Sequence, residues 1–134
     1  MNENLAVAAS INSIRYASEG NKEKWLNLYA DDAVVRDPVG VSALDPAGEG
    51  HQGKAAIEAF WDMVIGPANI TMSSHNRVVS GPRHCASNQQ VVNNLADGRQ
   101  TVVEMVATYE VNDEGKILAM SAYWDMDVLM SQMA

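Results

Sequence analysis

The residues best placed to do chemistry are Asp37-Pro38-Val39-Gly40, which follow the β-branched run Ala33-Val34-Val35-Arg36. The proline confines Asp37 to extended backbone and Gly40 lets the chain turn away, so a carboxylate is pinned at the end of an apolar strand. A general base suits such a place, because burial raises a carboxyl's pKa and fits it to take a proton and return it. The same pattern also serves as a plain turn, with the aspartate bonding to backbone ahead of the proline. Other candidates are thinner. His51, His75 and His84 lack the spacing of a metal site, and Asp45, Glu49, Asp62, Asp113 and Glu114 read as solvated surface. Cys85 beside His84 reads as buried filler. No glycine loop of Walker or Rossmann type offers a nucleotide site, so neither metal nor cofactor is expected.

The elements that must position Asp37 follow from periodicity. Leu5, Ala8, Ala9, Ile11, Ile14, Arg15 and Tyr16 carry apolar groups at helical spacing up to Gly20. Asn21 is a plausible N-cap for a second helix through Tyr29, with Trp25, Leu26, Leu28 and Tyr29 on its buried side. A strand at about Ala33 to Asp37 comes next, then an exposed loop from Val41 to Gln52 and a third helix from Gly53-Lys54 to about Ile65, stopped by Gly66-Pro67. From Ile70 onward the pattern is β: Ile70 toward Val79, His84 to Leu95, Arg99 to Val111 and Lys116 to Asp125. Asp97-Gly98 and Asn112-Asp113-Glu114-Gly115 supply hairpin turns. The expected class is α+β, three N-terminal helices on one face of a curved, mostly antiparallel sheet. Met126 to Ala134 reads as a loosely held tail.

Composition narrows the partners. The 134 residues, 47% of them hydrophobic, suit a single domain over residues 1–134 with its own core. A formal charge of -8, from 9 basic and 17 acidic side chains, opposes nucleic acid as a partner, since binding needs clustered Lys and Arg. The one cysteine permits no internal disulfide, and Met1-Asn2-Glu3-Asn4 does not open like a signal peptide, so a cytoplasmic location is expected. No run nears the roughly 18 to 20 apolar residues of a membrane span. Asn69-Ile70-Thr71 is taken as a chance glycosylation motif.

Four segments carry a family resemblance. They are Leu28-Tyr29-Ala30-Asp31-Asp32-Ala33 with Asp37-Pro38-Val39-Gly40; Gly53-Lys54-Ala55-Ala56-Ile57-Glu58-Ala59-Phe60; Gly98-Arg99-Gln100-Thr101-Val102-Val103; and Gly115 to Trp124. The chain resembles the ketosteroid isomerases of the nuclear transport factor 2-like, or SnoaL-like, α+β cone superfamily, which also holds polyketide cyclases, scytalone dehydratase and limonene epoxide hydrolase. The longer loop Ser42 to Gly50 looks more like the family's actinobacterial members. The resemblance implies a conical pocket, a steroid or similar apolar carbonyl ligand, and a base at Asp37 beside an oxyanion hole built from a tyrosine and a protonated aspartic acid, roles known for the family and borrowed from it.

The match breaks at that hole. Ser13 stands at the family's oxyanion tyrosine and Ala107 at its protonated aspartic acid. Tyr16, one helical turn on, and Ser13 are therefore the candidates to polarise a ligand oxygen. If Ala107 faces the cavity, strand alternation puts Val103, Met105 and Tyr109 with it and turns Glu104, Thr108 and Glu110 away. Counting back from the Asp97-Gly98 turn by resemblance places Asn88, Gln90, Val92 and Asn94 on the cavity side of the neighbouring strand. Phe60, Met120 and Trp124 match lining positions, and the eight methionines suit an adaptable pocket.

Two functions of different class follow from the resemblance. One is a steroid Δ-isomerase-like enzyme in which Asp37 shuttles a proton. The other is a small hydrophobic ligand-binding protein with little or no catalysis; a related lyase or cyclase is a third reading. The family's use of the convex sheet face implies a homodimer, with Val102, Val106, Thr108, Leu118 and Ala122 as contact candidates.

Overall fold

The structure, a computed structural model, describes residues 4–134, so the reading of Met1-Asn2-Glu3 lies outside the described residues. The chain runs α1 (Leu5–Glu19), α2 (Lys22–Leu26), β1 (Tyr29–Arg36), β2 (His51–Gln52), α3 (Lys54–Phe60) continued by a π-helical turn (Trp61–Ile65), β3 (Ile70–Ser80), β4 (His84–Asn94), β5 (Gln100–Val111), β6 (Ile117–Tyr123) and α4 (Met126–Met133). The six strands form one sheet in the order β2-β1-β6-β5-β4-β3. Only the β1–β6 pair is parallel. This is the α+β arrangement the pattern predicts, with a mostly antiparallel sheet.

Helix α1 faces the sheet with small side chains, Ala6, Ala9, Ser10, Ser13 and Ala17, at helical spacing. Small residues let the helix lie close across β3, β4 and β5. The expected apolar face is shifted, because Ala8 and Ile11 are exposed. Asn4 caps the helix by accepting from Val7 N, while its Nδ2 donates to the carbonyls of Gly81 and His84 and ties the helix start to the β3–β4 turn. Gly20 closes the helix in the left-handed region, at φ 70.

Three expectations are corrected. The second helix stops at Leu26 and Tyr29 already belongs to β1, because the aromatic side chain packs inward against Trp25 at 4.8 Å between ring centres. Asp45 is buried: its carboxylate accepts from Gly50 N at 2.8 Å and folds the loop onto itself. Residues Met126–Met133 form a helix, capped by Asp125. Its Gln132 side chain accepts from Val102 N at 2.6 Å and donates to Val102 O at 2.8 Å, as a strand would. Pairing between β5 and β6 covers only Val106–Val111 of β5, so α4 covers part of an edge otherwise open.

Alternation along β5 sends Thr101, Val103, Ala107 and Tyr109 inward, while Val102, Glu104, Val106 and Glu110 are exposed. The neighbour β4 is off by one from the expectation. Ser87 pairs with Ala107, Gln89 with Met105, Val91 with Val103 and Asn93 with Thr101, so these four share the inner face. Asn88, Gln90, Val92 and Asn94 point the other way. The cause is the hairpin: Leu95 N bonds Arg99 O, leaving the three residues Ala96, Asp97 and Gly98 in the loop. Gly98 takes φ 89, the left-handed position of such a turn. A two-residue loop would give the other parity, and one residue flips every side chain. Ala122 likewise lines the inner cavity and is unavailable to an outer contact.

Candidate active site

The cone between sheet and helices holds a largely apolar cavity of about 870 Å³, its open mouth included. Val103, Met105 and Met120 from the sheet and Phe60, Val64 and Ile65 from the third helical segment supply its greasy wall, and Leu129 of α4 reaches in beside Trp124. Few polar side chains break this lining: Asp37, Tyr109, Gln89 and Ser13, with Asn93 and Thr101 paired further along β4 and β5.

Asp37 is the first. It follows β1 directly, joined to Pro38 by a cis peptide bond, and Val39 N bonds Ala122 O at 2.9 Å, which fastens this corner to β6. Trp124, two residues beyond Ala122 on the same face, donates Nε1–H to Asp37 Oδ1 at 2.5 Å. Burial raises the carboxyl from its ordinary range to about 6, against the downward pull of the Trp124 bond. A carboxyl so tuned exchanges protons near neutral pH.

Tyr109 is the second. Its hydroxyl oxygen accepts from Gln89 Nε2 at 3.1 Å, and both residues are almost wholly buried. Burial pushes the phenol's pKa up, as does the negative charge of Asp37. Gln89, Ser13 and the Arg77 guanidinium pull it down. Behind it stands Tyr29, 1% exposed, whose hydroxyl has no hydrogen-bond partner among the described residues. Burial holds the Tyr29 pKa well above normal, Tyr109 and the charge of Asp37 add to the effect, and the nearby Ser13 hydroxyl works against it.

Of the residues singled out by sequence, Asp37, Ser13, Phe60, Met105, Ala107, Met120 and Trp124 all line this cavity. Tyr16 does not. Three residues turn a helix by about 300°, which carries Tyr16 to the flank of α1, where its ring lies beneath Arg15 and Lys24 at 5.6 and 5.8 Å. It is out of reach of a ligand in the cone. Asn88 and Gln90 lie outside too: Asn88 donates to Asn76 and Gln90 to Glu104. Val92 and Asn94 share that outer face. Sequence reasoning put Tyr109 on the correct face without giving it a part, and it missed Gln89. The signal for both lay in the resemblance, which sets Ser13 and Ala107 where a tyrosine and an aspartic acid are expected. Among the described residues no cluster of three or more His, Cys, Asp or Glu could hold a metal, and no helix is long and apolar enough to cross a membrane.

Comparison with known proteins agrees with this geometry. A model of the SnoaL-like domain matches residues 12–120. A steroid Delta-isomerase of Nocardioides simplex is 34% identical over 97 residues, 72% of this chain and 71% of that protein. The Delta 5-3-ketosteroid isomerase from Mycobacterium sp. superposes with a TM-score of 0.86 at 39% identity, covering 93% of this chain and 96% of the other. RV0760c from Mycobacterium tuberculosis, solved in complex with estradiol-17beta-hemisuccinate, superposes with a TM-score of 0.87 at 35% identity, covering 94% and 98%.

Proposed function

The chain belongs to the SnoaL-like family as a homologue of steroid Delta-isomerases, and on that footing we propose that it isomerises a steroid or similar apolar carbonyl compound with Asp37 as the base. The observation that carries this reading is the Asp37 carboxyl itself: set in an apolar wall, held by Trp124, with its pKa raised to about 6. In a β,γ-unsaturated ketone the carboxylate would take a proton from the carbon between carbonyl and double bond. That C–H bond breaks as the Asp37 O–H bond forms, and the electron pair moves into a dienolate. The same proton then returns to the far end of the dienolate, leaving the conjugated enone and the free carboxylate. No cofactor enters the balance.

The test is turnover of a 5-ene-3-ketosteroid, followed by the absorbance of the conjugated enone. Replacing Asp37 by Asn should lower kcat by roughly 1,000-fold, within the range of general-base contributions; equal turnover in the variant would remove Asp37 from the mechanism. A second reading, binding without turnover, draws on Ser13 and Ala107 standing where the family's two donors are expected. Tight steroid binding by a wild-type protein that never forms the enone would establish it.

We also propose a homodimer through the outer sheet face. Val102, Val106 and Tyr123 are 38%, 39% and 55% exposed there, and Val106 pairs directly with Tyr123. Apolar side chains grouped on a sheet call for a cover. Sedimentation should give twice the chain mass, and Val106→Asp should halve it; a wild-type monomer at micromolar concentration would dismiss the dimer.

A further inference from the structure

The isomerase reading leaves a gap: a dienolate oxygen needs a hydrogen-bond donor, and where the resemblance sets the family's two donors this chain has only the short Ser13 hydroxyl and Ala107, which has none. We propose that this chain supplies the donor from position 109, with the Tyr109 hydroxyl bonding the ligand's carbonyl oxygen and Gln89 positioning it. This role deepens the isomerase reading and rests on it.

Strand register gives the placement. Cys85, Tyr109, Met120 and Val35 stand level across four strands; Ser87, Ala107 and Ala122 form the next level, and Gln89 and Met105 the one after. Gln89 Nε2 nevertheless reaches the Tyr109 hydroxyl at 3.1 Å, two levels away. The phenol therefore lies along the sheet across the level of Ser87 and Ala107, bringing its hydroxyl over Ala107. Both are fully buried small residues, at 0% and 1% exposure, and leave the room the ring takes. Asp37 belongs to the same level, since Val39 just beyond it bonds the carbonyl of Ala122. Base and phenol thus line one end of one cavity, and the charge of Asp37 is felt at the phenol. The donor lost at position 107 is returned by a longer side chain rooted two residues further along the same strand.

The Gln89 amide fits this use. It gives a hydrogen to the phenol oxygen, so the phenol's own hydrogen is left for another acceptor. The Gln89 amide, with Ser13 and the Arg77 guanidinium, only partly offsets the burial and the Asp37 charge that hold the phenol's pKa up, so the hydroxyl keeps its proton and is available to donate it in a hydrogen bond as charge develops on a ligand. Gln89 is a positioning residue in this arrangement and acts through Tyr109.

The experiment pairs turnover with a binding measurement that needs no turnover. In the 5-ene-3-ketosteroid assay, Tyr109→Phe should lower kcat about 100- to 1,000-fold and change KM far less. Gln89→Leu, which keeps the phenol but removes its donor, should lower kcat by about tenfold. Independently, titration with estradiol and with its 3-deoxy analogue should show wild type preferring the phenolic steroid, and Tyr109→Phe losing at least about tenfold of that preference while binding the deoxy compound as before. A retained preference with kcat within threefold of wild type overturns the role of Tyr109. Lost affinity for both steroids alike also overturns it, since that outcome assigns the ring to packing. If wild type turns nothing over, the isomerase reading fails and the estradiol comparison alone decides the donor. If Asp37→Asn keeps full turnover while Tyr109→Phe loses it, the base assignment fails and the donor stands.

Discussion

Gln89 and Gln90 are neighbours with the same chemistry and opposite circumstances. Gln89 faces into the cone, 1% exposed, and its amide holds the Tyr109 hydroxyl at 3.1 Å. Gln90 faces out and gives its hydrogen to Glu104 at 2.8 Å, beside a His75–Glu104 contact in open solvent. The inner bond is made where water does not compete and an unmade partner is costly; the outer one competes with water throughout. What separates them is a single residue in the β4–β5 loop, which sets the parity of the whole strand. Side-chain identity alone therefore says little about function on this sheet; the face decides.

Asp37 gives the sharpest way to probe the inner face, because its burial works against the fold. Its pKa is raised to about 6 in the folded protein, so between about pH 4 and 6 the folded state holds a proton that the unfolded chain releases. The stabilising share of this group is full below about pH 4 and is lost as pH rises through 6. Asp37→Asn should accordingly be more stable than wild type at pH 7.5, by up to about 3 kcal/mol, and equal to it at pH 4. Urea unfolding at the two pH values measures the difference. The same group should give kcat/KM a rise with an apparent pKa near 6, absent from the variant's residual rate. A variant that lost activity without gaining stability at neutral pH would mean that the inner face is wetter than the cavity wall implies.

Much of this site was legible in the chain, and the rest failed for a physical reason. Asp37-Pro38 announced a fixed carboxylate because proline restricts the residue before it. The inner face of β5 was readable once the resemblance set Ala107 toward the cavity, because alternation then places Val103, Met105 and Tyr109 with it. In β4 the run Gln89-Gln90-Val91-Val92-Asn93-Asn94 comes in doublets. A doublet pattern looks the same after a one-residue slip, so only the loop could fix the face, and Asp97-Gly98 suits a two-residue turn as well as the three-residue one that forms. Tyr16 was misplaced because sequence spacing fixes an angle around the helix but not the neighbour α2 that occupies that flank. Helix α4 escaped notice because its eight residues are too few for periodicity to speak, although Asp125 was a usable cap signal.

The comparison of the two glutamines can itself be broken by one pair of substitutions. Leucine nearly matches glutamine in volume but offers no hydrogen bond, so Gln89→Leu leaves the Tyr109 hydroxyl buried without its donor. An unsatisfied buried group costs about 1–3 kcal/mol, partly offset by the amide that no longer has to be desolvated. Gln90→Leu loses a bond that water replaces, and should change stability by less than about 0.5 kcal/mol. Chemical denaturation of both variants reads the difference directly. Equal losses would mean that the outer network of Gln90, Glu104 and His75 holds the sheet together as firmly as the buried pair does, and parity would then matter for catalysis alone. A loss confined to Gln89→Leu would make one inward amide both a structural and a positioning group, which its outward neighbour of the same kind is not.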